Sequence, residues 1–254
     1  MARVTVGERS FEASAFVFDK DGLLFESKQF WIALAEERME KLRALGSEEL
    51  VKVWGRAFGV KTEDSVHVED VDATGILAVA SPAEEITATA ALIVQVLGLR
   101  WTEARDHANE VFRLADEELA LSKALKSRPG FPRIMERLRA CGIPYGVATS
   151  DTTERTVNSF RLFDDPDALS FIICPQHVKR GKPFPDMLEE VSRRLNIPTS
   201  QLVMVGDSYV DVEMARRAGA YGIGIPETEA MRAQMEEMGV IVVDSLDDIR
   251  FEAE

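Results

Sequence analysis

The sequence predicts an α/β fold, a doubly wound parallel sheet carrying an inserted all-helical domain, and three observations carry that reading. The apolar run Ala15-Phe16-Val17-Phe18 ends abruptly at Asp19-Lys20-Asp21-Gly22, as a strand buried on both faces of a parallel sheet does. From Ser127 onward, helical and strand-like segments alternate, which is the pattern of successive βα units. Between these two parts, from about Ser27 to Leu125, helical periodicity dominates and no clear strand interrupts it.

The elements follow in order. Met1 to Val6 alternates like a short strand, and Ala15 to Phe18 is the buried one. Helical spacing links Phe30, Trp31, Leu34, Ala35, Met39 and Leu42, then Ile86, Ala90, Ile93, Val94 and Leu97, then Ala104, Ala108, Val111, Phe112, Ala115 and Leu119. The acid-rich stretch Gly59 to Ala80 is the least regular. It leads into Ser81-Pro82-Ala83-Glu84, a capping-box start with proline in the first helical position. The later half reads as helix Ile134 to Ala140, strand Tyr145 to Ala148, a helix from Asp151, strand Phe171 to Cys174 and helix Met187 to Leu195. Strand Leu202 to Val205, helix Val210 to Ala218, strand Gly222 to Ile225, a helix near Glu229 to Met238 and strand Val240 to Val243 complete it. A single parallel strand cannot stand alone, so Ala15 to Phe18 belongs to the later sheet, and the helical stretch is an insertion at the sheet's carboxyl edge. The expected division is a core of residues 1–24 and 127–254 with a helical cap domain of residues 25–126, in whose core Trp31, Trp54 and Trp101 are placed.

Composition narrows the function. The 254 residues, 46% hydrophobic, suffice for a substantial core, and a net charge of −14 with pI near 4.8 argues against non-specific DNA or RNA binding. Small ligands are the expected partners. No stretch approaches the ~18 apolar residues of a membrane span and no apolar signal core opens the chain, so a cytoplasmic protein without a membrane partner is expected. The distant Cys141 and Cys174 read as reduced thiols, and His67, His107 and His177 lack metal-ligand spacing.

Open α/β sheets bind ligands beyond the carboxyl ends of their strands, and four constellations fall there. Asp19-Lys20-Asp21-Gly22 places two carboxylates where burial is costly unless a cation offsets it. Val147-Ala148-Thr149-Ser150-Asp151 ends a strand with hydroxyls, and Asp151 and Glu154 have capping-box spacing, so its amides suit an anion. Gly181-Lys182-Pro183-Phe184-Pro185-Asp186 fixes an ammonium on a stiff loop. Val205-Gly206-Asp207-Ser208-Tyr209-Val210-Asp211 again sets two carboxylates after an apolar strand.

In this order the four stations resemble the haloacid dehalogenase (HAD) superfamily, with its Rossmann-like core and an α-helical cap of the phosphoglycolate phosphatase and β-phosphoglucomutase type. The resemblance covers about Ala13 to Leu24 and Pro129 to Val243, and Ala215-Arg216-Arg217-Ala218-Gly219 is also in register. It implies Asp19 as a nucleophile forming an aspartyl phosphate, and Asp21 as the acid that protonates the leaving oxygen and then activates water. Thr149 and the amide of Ser150 would bind the transferring phosphoryl oxygens, and Lys182 would neutralise the charge shared between nucleophile and phosphoryl group. Mg²⁺ would be held by the Asp19 carboxylate, the Asp21 backbone carbonyl and Asp207, with Asp211 a ligand directly or through water.

The resemblance therefore implies Mg²⁺-dependent hydrolysis of a small phosphorylated metabolite by a monomer or small homo-oligomer. Carbon-attacking dehalogenases lack an aspartate at the position of Asp21, and phosphonate-cleaving members depart there as well. A sugar-phosphate phosphomutase uses the same two aspartates and stays open, as does a non-catalytic ligand-sensing or protein-binding module. Substrate choice is expected in the cap. The turn anticipated at Val53-Trp54-Gly55-Arg56-Ala57-Phe58-Gly59 falls where related caps drop a specificity loop, which makes Arg56 a candidate for binding a carboxylate or second phosphate. The irregular segment Val60 to Ala80 departs from the compact cap expected of phosphoglycolate phosphatases.

Overall fold

The computed structural model describes residues 1–253, whose chain separates into two compact units, Met1–Glu26 with Lys126–Glu254 and Ser27–Leu125. The first unit opens with β1 (Ala2–Val6), β2 (Arg9–Ala13) and β3 (Ala15–Phe18). In the second unit come α1 (Ser27–Arg43), α2 (Glu48–Phe58), β4 (Val60–Lys61), β5 (Asp70–Val71), α3 (Ile76–Val79), α4 (Pro82–Leu97), α5 (Trp101–Glu118) and α6 (Leu121–Ala124). The first unit resumes with α7 (Arg133–Ala140), β6 (Tyr145–Ala148), α8 (Thr153–Phe160), β7 (Phe171–Ile173), α9 (Asp186–Leu195) and β8 (Leu202–Gly206). It ends with α10 (Tyr209–Ala218), β9 (Tyr221–Gly224), α11 (Glu229–Glu237), β10 (Ile241–Val242) and β11 (Ile249–Ala253). No helix among the described residues is long and apolar enough to cross a membrane.

The six-stranded sheet has the order β10-β9-β8-β3-β6-β7 and every pairing in it is parallel. The chain runs outward from β3 through β6 to β7, then returns to β8 on the other side of β3. The order thus reverses at the central strand, where such sheets open a crevice at their carboxyl ends. All residues of β3, β6 and β8 are buried, as continuous apolar runs covered on both faces must be. On one face Val17, Ala148, Ile173 and Met204 pack with Leu188 of α9 and Met214 of α10.

In this unit two strands, β2 and β11, were not legible in the sequence. β2 and β11 flank β1 antiparallel in a separate three-stranded sheet, with Val4 opposite both Phe11 and Phe251. One face of this sheet carries Ala2, Val4, Val6, Phe11 and Phe251, and the Phe251 ring lies 5.5 Å from Phe16 of the main sheet. Charged residues crowd the other face of β2 and β11, so neither carries enough apolar signal to stand out.

The helical unit is built around α1, α2, α4 and α5. A buried Arg38–Glu85 ion pair joins α1 to α4, with the Arg38 guanidinium 4.0 Å from the Phe112 ring centroid of α5. Trp54 Nε1 donates to Thr89 Oγ1 at 2.9 Å. Three expectations need correction. The insertion is not wholly helical, since Val60 and Lys61 pair antiparallel with Val71 and Asp70 within the irregular segment. The expected turn over Val53–Gly59 is helix α2 up to Phe58, because Leu50, Val51, Trp54 and Phe58 form one buried stripe; only Gly59 departs from it, as the left-handed cap. Trp54 is fully buried and Trp31 half-buried, but Trp101 stands 47% exposed at the first position of α5 rather than in a core.

Candidate active site

Sheet register brings the first, second and fourth sequence stations to one level. Phe18 pairs with Val147 on one side and Val205 on the other, so the residues that follow these three leave the sheet side by side. The Asp19 amide donates to the Val205 carbonyl at 2.9 Å, which seats Asp19 where β8 gives way to Gly206 and Asp207. Lys182, from the loop before α9, completes the group. Its Nζ lies 2.5 Å from Asp19 Oδ1 and 2.6 Å from Asp211 Oδ1. Asp19, Asp207 and Asp211 are all buried, and each offers a carboxylate oxygen within 4.8 Å of the others.

Two glycines are required by this closeness. A Cβ on Gly22, whose φ is +87°, would fall 2.2 Å from Asp207 Oδ2, and one on Gly206 would fall 2.3 Å from the Asp211 Cβ. Asp211 is held from its other side as well, since Oδ2 accepts from the Ser208 hydroxyl at 2.7 Å and the Ser208 amide at 3.2 Å. Its position as third residue of α10 thus also makes it the helix's capping acid.

The electrostatics follow from three carboxylates sharing one ammonium. Burial pushes Asp19 up to about 6; Lys182 opposes this, while Asp211 and Asp21 add to it. Burial also pushes Asp207 well above the usual carboxylate range, reinforced by the charges of Asp19 and Asp211. Burial alone would discharge Lys182, but the two carboxylates beside it hold the ammonium above its ordinary range. Such an array of hard oxygen donors, carrying more negative charge than its single cation balances, fits a divalent metal ion.

Asp21 points elsewhere. Its Oδ1 lies 2.8 Å from Lys20 Nζ, which lies 2.8 Å from Asp151 Oδ2 as well, and Asp151 Oδ1 is 3.2 Å from Arg155 Nη1. Burial raises Asp21 against the opposing charge of Lys20. For Asp151, burial is overcome by Lys20 and Arg155, which hold it below its usual range. The capping expected of Asp151 is carried out one residue later by Thr152, whose hydroxyl accepts from the Arg155 amide at 3.2 Å. Asp151 is instead drawn to the two buried cations.

Thr149 is buried, its hydroxyl accepting from the Asp151 amide at 3.1 Å, and Ser150 beside it is half-buried. Arg56 belongs to the helical unit, on the exposed side of α2, 3.8 Å from Glu49. Sequence reasoning missed Lys20, Arg155 and the Lys20-binding role of Asp151. A lysine set between two site acids after an apolar run was the available signal. It also missed Arg128, whose guanidinium donates to the Gly22 carbonyl and lies 3.3 Å from Glu227.

A parallel sheet with clustered acids at its switch point suits an α/β enzyme acting on phosphate compounds. The family model for haloacid dehalogenase-like hydrolases matches residues 13–219, and the chain belongs to that family. It is 26% identical over 207 residues to the N-acetylmuramic acid 6-phosphate phosphatase of Pseudomonas aeruginosa, covering 81% of this chain and 78% of that one. It is 32% identical over 98 residues to the phosphoglycolate phosphatase of Escherichia coli K12, covering 37% of this chain and 39% of that one. Among solved structures, CbbY from Rhodobacter sphaeroides in complex with phosphate superimposes with a TM-score of 0.62 at 19% identity, over 92% of this chain and 94% of that one, a likeness of fold.

Proposed function

We propose that this chain is a phosphatase that hydrolyses a small phosphomonoester through an aspartyl phosphate on Asp19, with Mg²⁺ as its cofactor. The observation that carries this reading is the Lys182 ammonium set between the buried carboxylates of Asp19 and Asp211, with Asp207 within reach of both. Lys182 orients Asp19 and offsets charge as the carboxylate approaches phosphorus. Thr149 and the Ser150 amide, at the neighbouring strand end, receive phosphoryl oxygens. Asp21 gives a proton to the leaving oxygen and takes one from water in the second half-reaction. Asp19, Asp207, the Asp21 carbonyl and Asp211, directly or through water, would hold the ion. When bound, the ion supplies positive charge to the phosphoryl oxygens and a template for in-line displacement.

Substrate choice is assigned to the helical unit acting as a cap. Two of the phosphatases similar to this chain are named for substrates that join a carboxylate to a phosphate, which favours a phosphorylated carboxylic acid here. Arg56 is the proposed carboxylate partner. The test is phosphate release from p-nitrophenyl phosphate and a panel of phosphorylated sugars and acids, with and without Mg²⁺, while products are followed by mass spectrometry. Release of inorganic phosphate is expected. Isomerised sugar phosphate in its place would convert the reading to a phosphomutase, and no turnover of any compound with Mg²⁺ present would overturn it.

A further inference from the structure

We propose that Lys20 is a positioning residue for proton transfer: bridging Asp21 and Asp151 within the protein, it fixes the direction in which the Asp21 carboxyl points. This rests on the role given to Asp21 above. The Lys20 side chain is wholly buried, and its Nζ lies 2.8 Å from one oxygen of each aspartate. Asp151 is itself immobilised, with Oδ1 accepting from the Thr152 amide at 2.7 Å and 3.2 Å from the buried Arg155 guanidinium, at the start of α8. The Phe25 ring, 6.0 Å from Nζ, walls the ammonium on another side. The chain of contacts therefore runs from the rigid entry of α8 through Lys20 to the one site aspartate that is not drawn into the Lys182 cluster.

Stability alone does not account for such a network, because a buried ion cluster is often no better than a well-packed apolar replacement. What the lysine adds is direction. Without it, the Asp21 carboxyl, at the end of a side chain with two rotatable bonds and an under-neutralised acidic cluster nearby, loses the cation in contact with it. In the first half-reaction, an oxygen of Asp19 bonds to phosphorus as the ester P–O bond breaks. The bond's electron pair goes to the leaving oxygen, which takes the Asp21 proton and departs as alcohol. In the second, Asp21 takes a proton from water as the water oxygen bonds to phosphorus. The bond to Asp19 then breaks with its electron pair returning to the carboxylate, releasing phosphate. Lys20 forms no bond in either; it holds Asp21 in place for both.

Misdirection of a general acid penalises poor leaving groups most, since a stable phenolate departs without a proton. The experiment compares kcat/KM for p-nitrophenyl phosphate and phenyl phosphate, a ratio that reports on the step releasing the phenol, in wild type, Lys20→Met, Lys20→Arg and Asp151→Asn. Lys20→Met is expected to lose at least about tenfold more on phenyl than on p-nitrophenyl phosphate, less than the full 10²–10⁴ contribution of a general acid because the acid is misdirected rather than removed. Asp151→Asn, which removes the anchor but keeps its shape, should shift the ratio in the same direction, and Lys20→Arg should restore part of it. Should Lys20→Met fail to fold, Asp151→Asn carries the test. Parallel losses on both substrates, or none, with wild-type turnover intact, would overturn the role of Lys20 alone. Absence of wild-type turnover would overturn the phosphatase reading and this one with it.

Discussion

The three-carboxylate cluster makes a prediction about stability that needs no substrate. Asp19 is raised from its ordinary 3.8 to about 6, so between these values the folded chain holds a proton that the unfolded chain has released. Its contribution is fully present below pH 3.8 and is lost as the pH rises through about 6. Buried Asp207 and Asp21 are shifted upward too and act with the same sign. Asp151 is shifted downward, so its stabilisation is present above the ordinary carboxylate range and fades only as the pH falls below it; it does not offset the loss. A shift from 3.8 to about 6 corresponds to roughly 3 kcal/mol at about 1.4 kcal/mol per pH unit. At about 2–4 °C per kcal/mol for a chain of this size, that is a fall of roughly 6–12 °C in Tm.

The assay is thermal unfolding in EDTA from pH 4.5 to 7.5, repeated with excess Mg²⁺. Stability in EDTA should fall across this range by about two-thirds of that amount, since the loss begins near pH 3.8. Mg²⁺ should restore more of it at pH 7.5, where fewer protons compete for the carboxylates, than at pH 4.5. Asp207→Asn should raise the Tm in EDTA at pH 7.5 and abolish the Mg²⁺ response. A Tm in EDTA that stays level or rises from pH 4.5 to 7.5, together with no shift on adding Mg²⁺, would refute the claim that these acids form an under-neutralised cation site.

Other outcomes follow from the same geometry. Asp19→Asn should lower kcat on p-nitrophenyl phosphate by at least about 10³-fold while far-ultraviolet circular dichroism and Tm show a folded protein, the size expected for a lost covalent group. Lys182→Met leaves two buried carboxylates without their cation and should both abolish turnover and destabilise the chain by about 3–5 kcal/mol in urea unfolding. Gly22→Ala, which drives a Cβ toward Asp207 Oδ2 at a φ of +87°, should weaken Mg²⁺ binding measured by calorimetry more than Gly219→Ala, whose added Cβ meets nothing within 4 Å. Activity should vanish on chelation and return with Mg²⁺, and Ca²⁺ should substitute poorly because its looser shell misaligns in-line attack.

The main sheet was legible because buried parallel strands are continuous apolar runs: Ala15–Phe18 and Tyr145–Ala148 match the observed strands, and Leu202–Val205 falls one residue short. The hairpin strand β2 and the C-terminal β11 were not, because their periodicity is diluted by charge and their partners lie at opposite ends of the chain. Helix α2 was not legible because the resemblance placed a specificity loop there and the helical stripe Leu50, Val51, Trp54 and Phe58 was not weighed against it; only Gly59 there adopts the left-handed conformation. The positions of Asp19, Lys182, Asp207 and Asp211 could be anticipated as strand-end and loop residues, but that one lysine joins two of these acids depends on long-range register. Lys20 shows the limit from the other direction. Its neighbours in sequence identify it as part of a turn, whereas its meaning lies in Asp151, which capping rules assigned to the helix end.

The structure sorts the site's charges into two groups with opposite balances. Asp21 and Asp151 face Lys20 and Arg155, two carboxylates beside two cations. Asp19, Asp207 and Asp211 are clustered around Lys182, three carboxyl groups to one ammonium. Had Lys20 been drawn into the second group, the deficit there would shrink and the affinity for a divalent cation with it, while Asp21 would lose its partner. On the proposed reading, its engagement with Asp151 does two things: it gives Asp21 a direction, and it keeps a second ammonium out of the Asp19 cluster, where a dication would bind. Within one turn of four residues, Asp19 to Gly22, the proposed nucleophile and the proposed acid thus stand in different electrostatic environments, a difference that would let two chemically identical carboxylates take opposite parts in one reaction.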